Sequence, residues 1–238
     1  MPGVALERTL LTRLIRDAVA HKRVVKWGYV RQLGGLYPSE CDSIAAHSNS
    51  VAVLASLIAH QLGSEIESEC GVVISAHDVI LMATFHDYGE GRSGDTGASS
   101  YAIRGTCNLH SLEREGLQAS LEGLKASKKI VGLFDDYRAY RTAESLIVHI
   151  ADNLEGFEKA LHAARGSREI LDDVTRIFCE NLKMYGNRNE LDERLGLVAN
   201  YLVNNVLIPG NQLTADAYGL DLDIAALAHA SLGALANQ

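Results

Sequence analysis

Proline is scarce in this chain, and so is the alternation of apolar and polar residues that marks β-strands. Only three prolines occur among 238 residues, so few positions forbid a helix. Apolar residues instead recur almost everywhere at the three- and four-residue spacing of amphipathic helices. The sequence therefore predicts an all-α fold.

Basic residues are also few. The chain has 22 Lys and Arg against 30 Asp and Glu, which gives a formal net charge of −8. A surface that binds long nucleic acids needs clustered basic side chains to replace the counterions of the phosphates. The composition argues against that class of protein, but a small anionic substrate held by a few local cations remains compatible with it.

Paired cysteines, a signal peptide and a membrane-spanning run are missing as well. Cys41, Cys70, Cys107 and Cys179 lie far apart with no C-x-x-C pair, which indicates reduced thiols and not a disulfide framework or a zinc cage. The first ten residues, MPGVALERTL, show no basic region before an apolar stretch. The apolar run from Ile224 is too short to cross a bilayer. We therefore expect a cytoplasmic protein with no membrane partner.

The helical periodicity predicts an all-α bundle with connectors. One helix is expected over 6–19, a second from a cap at Asp42 or Ser43 to Leu62, and a third from a cap at Asp78. Further helices are predicted at 108–127, 139–164, 168–185, 189–207 and 222–235. A weak boundary near 165–167 divides the chain into a core at 1–165, which includes the N-terminal helix, and a C-terminal helical extension at 166–238 packed on that core.

Residues 84–95, TFHDYGEGRSGD, place an unusual set of polar groups after an apolar helix. His86 and Asp87 end that helix, and Glu90 shares the face of His86 if helical geometry persists. Gly91 and Gly94 permit a reversal that brings Asp95 back over the helix end. A polar surface turn would explain these residues equally well on local grounds, so the decision depends on the rest of the chain.

Two further polar residues occur on apolar helices. His47 is in line with Val51, Leu54 and Ile58 and so faces the core, where a histidine is more often a hydrogen-bonded core residue than a ligand. Asp152 interrupts the apolar stretch SLIVHIADNLEGF, and no Lys or Arg occurs between Ala143 and Glu158. A buried carboxylate requires compensation, so its partner must come from another helix or be an ion.

One divalent ion would explain all four groups together. Two imidazoles and two carboxylates form a mixed nitrogen and oxygen set that suits a first-row divalent ion, and helical bundles build such sites from side chains on several helices. The sequence thus predicts a site for one Mn, Co, Fe, Ni or Zn ion, or for Mg. Its expected ligands are His47, His86, Asp87 and Asp152.

The order His47, His86-Asp87 and Asp152 resembles the HD-domain metal-dependent phosphohydrolases. The segments SIAAHSNSVAVLASLIA, LMATFHDYGEGRSGD and IVHIADNLEGF are similar to the three ligand-bearing segments of that family, and the likeness covers roughly residues 20–165. Together they resemble its 5′-deoxynucleotidase-like branch. The resemblance implies an HD-domain helical bundle with additional C-terminal helices, a nucleotide as substrate, and a homodimer.

The resemblance also implies roles for four residues. Glu90 would orient or deprotonate the attacking water, whose pKa the metal lowers, and Asp95 would assist at the leaving oxygen or the sugar; the two acids could exchange roles. Lys26 would bind phosphate and Trp27 would pack near the sugar or base. Hydrolysis of (deoxy)nucleoside monophosphates is thus the expected reaction.

This sequence departs from the branch at the residue before His47 and at Lys26. Ala46 precedes His47 where an acid is usual, so the acceptor that such an acid would offer the histidine is expected to be missing. Lys26 stands where Arg is common. A guanidinium can donate two parallel hydrogen bonds to a phosphate, whereas the ammonium of Lys26 offers a single localised charge. Both departures bear on substrate choice more than on metal binding.

Several neighbouring residues have simpler interpretations. His77-Asp78 is a second His-Asp doublet, with Asp78 interpreted as a helix cap. His110 and His149 could serve a second metal, although a mononuclear site is favoured. Glu113 and its neighbours are most simply a solvated helix face, and Arg92 and Arg104 could approach a phosphate or lie on the surface.

Two other functions remain open at this point. Nucleoside triphosphate hydrolysis or cyclic-nucleotide cleavage would use the same metal ligands with a differently charged pocket. A non-catalytic nucleotide sensor would tolerate the loss of Glu90 and Asp95, and their presence argues against it.

Overall fold

The computed structural model of the protein describes residues 8–24, 26, 42–93, 109–164, 168–186 and 192–233. Within these ranges the secondary structure is helical and contains no β-strand, which confirms the predicted all-α class. The helices in chain order are α1 (Arg8–His21), α2 (Ile44–Cys70), α3 (Ala76–Phe85), α4 (Glu90–Ser93), α5 (Leu109–Leu121), α6 (Ser127–Arg138), α7 (Ala143–Ala164), α8 (Arg168–Gly186), α9 (Glu193–Leu202), α10 (Ile208–Ala217) and α11 (Ile224–Gly233).

The ends of α2 follow from its capping residues. Ser43 accepts a hydrogen bond from the Ala46 backbone N–H, as predicted for this position. The predicted end at Leu62, just before Gly63, is wrong, because α2 continues to Cys70. Its true end is Gly71, which adopts the left-handed conformation with φ 68° and donates its N–H to the Glu67 carbonyl.

The cap of α3 also differs from the prediction. Ser75 is the N-cap and accepts from the Asp78 N–H, so Asp78 lies in the first turn and pairs with Lys129. Asp78 of the second His-Asp doublet therefore forms an ion pair at the start of α3 and is not the cap itself.

From the start of α9 to the end of α10 the backbone is helical without a break. A π-helical segment, Val203–Leu207, joins the two helices. Pro209 lies at the start of α10, where its missing N–H would interrupt regular α-helical bonding, and wider π turns precede it. The predicted end at residue 207 is therefore wrong.

The core is built mainly where α2, α3 and α7 meet. Their inward faces contribute fully buried residues such as Val51, Met82 and Ile147. The same cluster includes Phe178 of α8 and Leu202 of α9, so the later helices pack on the core. Where a core at 1–165 would end and an extension would begin stays a prediction. None of the helices in the described part of the chain combines the length and apolar character needed to span a membrane.

Candidate metal centre

His47 lies at the middle of the polar cluster. It extends from the second turn of α2 and is only 1% exposed. Its Nε2 atom is 3.2 Å from His86 Nε2, 3.3 Å from Asp87 Oδ2 and 3.2 Å from Asp152 Oδ1. The structure therefore brings together the four residues that the sequence predicts as ligands. His47, His86 and Asp152 each offer one nitrogen or oxygen atom, and these three atoms lie within 4.8 Å of one another, a spacing that could hold an ion.

The other ring nitrogen of each histidine is already engaged. His86 Nδ1 lies 2.7 Å from the Ala83 carbonyl oxygen, and His47 Nδ1 lies 2.8 Å from Glu155 Oε2. A carbonyl and a carboxylate only accept, so both Nδ1 atoms donate. In the neutral imidazoles the two Nε2 lone pairs then face each other. That arrangement needs a cation or a proton between them, so the donor set fits a divalent ion.

The pKa shifts of His47, Asp87 and Asp152 also indicate that the cluster favours a positive charge. Burial alone would lower the pKa of His47, but hydrogen bonds to the surrounding carboxylates, Asp152 foremost, raise it well above its ordinary value. Burial alone would raise the pKa of Asp87 and Asp152, but the nearby histidines lower both well below the ordinary range, and Lys26 adds to the lowering at Asp87. The carboxylates are thus ionised at neutral pH, and the cluster attracts a cation.

Lys26 and Glu90 lie together beside Asp87. The Lys26 ammonium donates to Asp87 Oδ2, and it is 3.0 Å from Glu90 Oε2 and 3.2 Å from Glu90 Oε1. Glu90 is 7% exposed and begins α4, after a turn that follows His86. The predicted single helical face through His86 and Glu90 is therefore interrupted, although both side chains still reach the same site. Trp27 and Asp95 lie outside the described residues, and their roles stay predictions.

Gly91 has a packing role. It lies inside α4, and a Cβ atom there would meet His21 Nε2 at 2.3 Å, far closer than real contacts allow. The His21 ring stacks on Tyr88 with 3.9 Å between ring centroids, and its nitrogens lie 2.6 Å from the Asp17 and Tyr88 carbonyl oxygens. Gly91 thus lets α1 approach the His-Asp turn, whereas the predicted reversal toward Asp95 falls outside the described residues.

Two charged residues near the site bind other parts of the protein. Arg92 donates to Ser120 Oγ at 3.0 Å and pairs with Asp17 at 3.1 Å, so it ties α4 to α5 and α1. Glu113 is only 9% exposed and pairs with Arg138. Its interpretation as part of a solvated face is wrong, because α5 turns it toward α6. Arg104 lies outside the described residues.

His149 is a buried structural residue. Its ring stacks between Tyr137 and Tyr140, with centroid distances of 4.0 and 3.8 Å, and its Nε2 donates to the Tyr137 carbonyl oxygen at 2.8 Å. This engagement argues against a role as a second-metal ligand. The side chain of His110, the other candidate, lies outside the described part of the chain. Burial lowers the pKa of His149 to about 4 from 6.5.

The lowered pKa makes His149 a source of acid sensitivity. The unfolded chain takes up this proton near pH 6.5 and the folded protein only near pH 4, so stability is intact above 6.5 and falls across that window. We expect His149→Phe, which keeps the ring stack but loses a hydrogen bond, to be less stable than the parent at neutral pH. That deficit should shrink by up to about 3 kcal/mol as the pH falls through the window.

Urea denaturation at a series of pH values measures this difference. His60→Phe is the matched control, because it makes the same replacement at a histidine that is exposed on α2. A deficit for His149→Phe that stays constant from neutral pH to pH 4 would show that His149 does not titrate with folding.

Among the described residues, sequence reasoning missed two side chains that hydrogen-bond to the predicted ligands. Glu155 accepts from His47 Nδ1, and Tyr137 donates its hydroxyl to Asp152 Oδ2 at 3.1 Å. Glu155 could have been found, since it stands three residues after Asp152 on the same face of α7. Tyr137 gave no comparable signal, because its contact spans two helices.

Comparison with known proteins identifies the family of the chain. A family model described as "HD domain" matches residues 31–184, well over half of the chain. The chain therefore belongs to the HD-domain family, the metal-dependent phosphohydrolases that its motifs resemble. Among curated proteins, none matches at a significant level.

Solved structures share the fold at low sequence identity. A Listeria innocua protein named an HD-domain phosphohydrolase is 16% identical, with a TM-score of 0.62 over 93% of this chain and 97% of that one. A Pyrococcus horikoshii protein is 21% identical, with a TM-score of 0.61 over 85% and 99%. A Magnetospirillum magnetotacticum protein named a predicted metal-dependent phosphohydrolase is 17% identical, with a TM-score of 0.52 over 85% and 94%.

Proposed function

We propose that the protein is a divalent-metal-dependent 5′-nucleotidase that removes phosphate from (deoxy)nucleoside monophosphates. The observation that carries the metal site is the pair of facing histidine Nε2 atoms, 3.2 Å apart, with Asp152 and Asp87 carboxylate oxygens 3.2–3.3 Å from them. His47, His86, Asp87 and Asp152 would hold one Mn, Co, Fe, Ni or Zn ion, or Mg. When bound, such an ion polarises a phosphoryl oxygen and makes a water molecule more acidic.

Glu90 and Lys26 would perform the proton transfer and the charge stabilisation that the metal ligands do not. Glu90 lies beside Asp87 without joining the central ligand cluster, so it can orient the attacking water and accept its proton. Lys26 lies at the same edge, where its ammonium can offset negative charge on the phosphoryl group as the bond to the leaving oxygen breaks. Trp27 at the base or sugar and Asp95 at the leaving group complete the proposal, and the homodimer stays a prediction.

A substrate panel with a choice of metals tests the activity. The metal-free protein is supplied in turn with Mn²⁺, Co²⁺, Ni²⁺, Zn²⁺ and Mg²⁺ and assayed against nucleoside mono-, di- and triphosphates and cyclic nucleotides. Release of inorganic phosphate from monophosphates alone supports a nucleotidase. Release of triphosphate, or opening of a cyclic phosphate, would replace the proposal by one of the other HD-type reactions. Binding without turnover of any compound would favour a sensor.

Lys26 provides a separate prediction about phosphate binding. Lys26→Met should reduce kcat/KM by about one to two orders of magnitude, the effect of losing one charge-assisted hydrogen bond. Lys26→Arg should recover part of the loss, because the charge returns. Lys129→Met is the matched control, since Lys129 is an exposed residue of α6 that pairs with Asp78. An unchanged kcat/KM in Lys26→Met would exclude Lys26 from substrate binding.

A further inference from the structure

We propose that Glu155 and Tyr137 are positioning residues for the metal site: Glu155 fixes the ring of His47, and Tyr137 fixes the carboxylate of Asp152. The inference rests on the proposed metal site. It assigns a task to two buried polar groups that the ligand set does not include.

Glu155 supplies an acceptor that α2 itself does not provide. The residue before His47 is Ala46, which cannot hydrogen-bond through its side chain. Glu155 reaches across from α7 and places Oε2 2.8 Å from His47 Nδ1. Its side chain is 5% exposed, and its second oxygen, Oε1, has no hydrogen-bond partner among the described residues. A buried oxygen left unpaired costs stability, so folding alone does not account for an acid at this position.

The contact decides which nitrogen of His47 is available. A ring that donates from Nδ1 to Glu155 carries its lone pair on Nε2, which faces His86 and Asp152. Without that acceptor the ring could place the proton on Nε2 instead and donate it to Asp152, 3.2 Å away. Outer hydrogen bonds of this kind orient metal-binding histidines and raise their basicity. Glu155 thus holds His47 in the form that binds a cation.

Tyr137 performs the corresponding task for Asp152. Its hydroxyl donates to Oδ2 at 3.1 Å, which leaves Oδ1 directed at His47. The Tyr137 ring also meets the edge of the His86 ring, with 5.4 Å between centroids. Stacking on His149 on its other side, at 4.0 Å, keeps the phenol in place. One buried side chain thus contacts two of the proposed ligands.

Metal affinity separates this role from a purely structural one. Mn²⁺ is titrated calorimetrically into the metal-free protein and into Glu155→Met and Tyr137→Phe, both close in size to the parent residues. Each variant should bind Mn²⁺ about 10–100-fold more weakly, the usual effect of losing an outer hydrogen bond at a metal site. Glu155→Gln should recover most of the affinity, because its amide oxygen still accepts from His47. The visible absorption of bound Co²⁺ should change in Glu155→Met and return toward the parent spectrum in Glu155→Gln.

Two matched controls remove a comparable hydrogen-bonding side chain that does not contact the proposed ligands. Glu158→Met removes an acid one turn along α7 that accepts from Tyr218, and Tyr185→Phe removes a hydroxyl that donates to the His149 carbonyl. Both should bind Mn²⁺ as the parent does. If Glu155→Met does not fold, Tyr137→Phe carries the test.

The possible failures are distinguishable. Folded variants at positions 155 and 137 that bind Mn²⁺ as tightly as the parent would overturn this inference while leaving the metal site intact. An affinity for Glu155→Gln as low as that for Glu155→Met would contradict the role of the acceptor. A parent protein that binds no Mn²⁺, Co²⁺ or Zn²⁺ would instead refute the metal site on which the inference rests.

Discussion

Asp152→Ala is expected to lose most of its bound metal and all measurable hydrolysis. Asp152 supplies a carboxylate oxygen 3.2 Å from His47 Nε2, and its negative charge offsets that of the ion. Among the described residues, the substitution leaves Asp87 as the one carboxylate beside the two Nε2 atoms, and Lys26 already donates to Asp87. The remaining residues then bind the ion too weakly to remove it from water. Elemental analysis of the purified protein, together with phosphate release, measures both effects.

The control must separate loss of the site from loss of any acid. Asp172→Ala removes an exposed carboxylate of α8 and should retain metal and activity. Thermal unfolding of both variants without added metal shows whether the fold survives. Full metal occupancy in a folded Asp152→Ala protein would remove Asp152 from the ligand set, even if hydrolysis were lost.

The helical framework of the site could be predicted because its residues lie on regular apolar stripes. His47 shares a face with Val51, and both are buried against α7 in the structure. Asp152 lies on an apolar helix without a nearby cation in sequence, and its partners are indeed on other elements. In both cases helical period and the cost of burying a polar group were sufficient.

Helix ends and long-range pairs were less predictable. Gly63 lies within α2 because a glycine inside a helix costs only about 1 kcal/mol, which packing outweighs. Gly71 stops the helix because it takes a positive φ. Glu113 looks solvated in sequence, yet its partner Arg138 lies on another helix. Contacts of this kind depend on helix packing, which periodicity does not encode.

The hydrogen-bond partners of the proposed ligands also depend on helix packing and could not be predicted from periodicity. The absence of an acid at position 46 predicts that His47 lacks an acceptor, whereas Glu155, 108 residues further along the chain, supplies one. Lys26 was assigned through family resemblance, and the structure adds that its ammonium contacts both Asp87 and Glu90. Sequence reasoning identified the groups, and the packing of helices identifies their partners.

Substitution of Glu90 distinguishes a role in catalysis from a role in metal binding. Its carboxylate is held by Lys26, with Oε2 3.0 Å from Nζ, at the edge of the cluster formed by His47, His86 and Asp152. Glu90→Gln keeps the size of the side chain and an oxygen that can accept from Lys26, but it removes the basic carboxylate. We therefore expect metal content and substrate affinity to survive, while turnover falls by about two to four powers of ten, the range for a lost general base.

The decisive measurement is kcat together with metal content in the same preparation. Glu113→Gln is the matched control, because it also alters a buried acid, one that pairs with Arg138 and contacts none of the proposed ligands. It should retain turnover. Turnover of Glu90→Gln near that of the parent would refute the role as a base. Loss of metal from Glu90→Gln would make Glu90 a ligand, and the proton would then have to pass to another group.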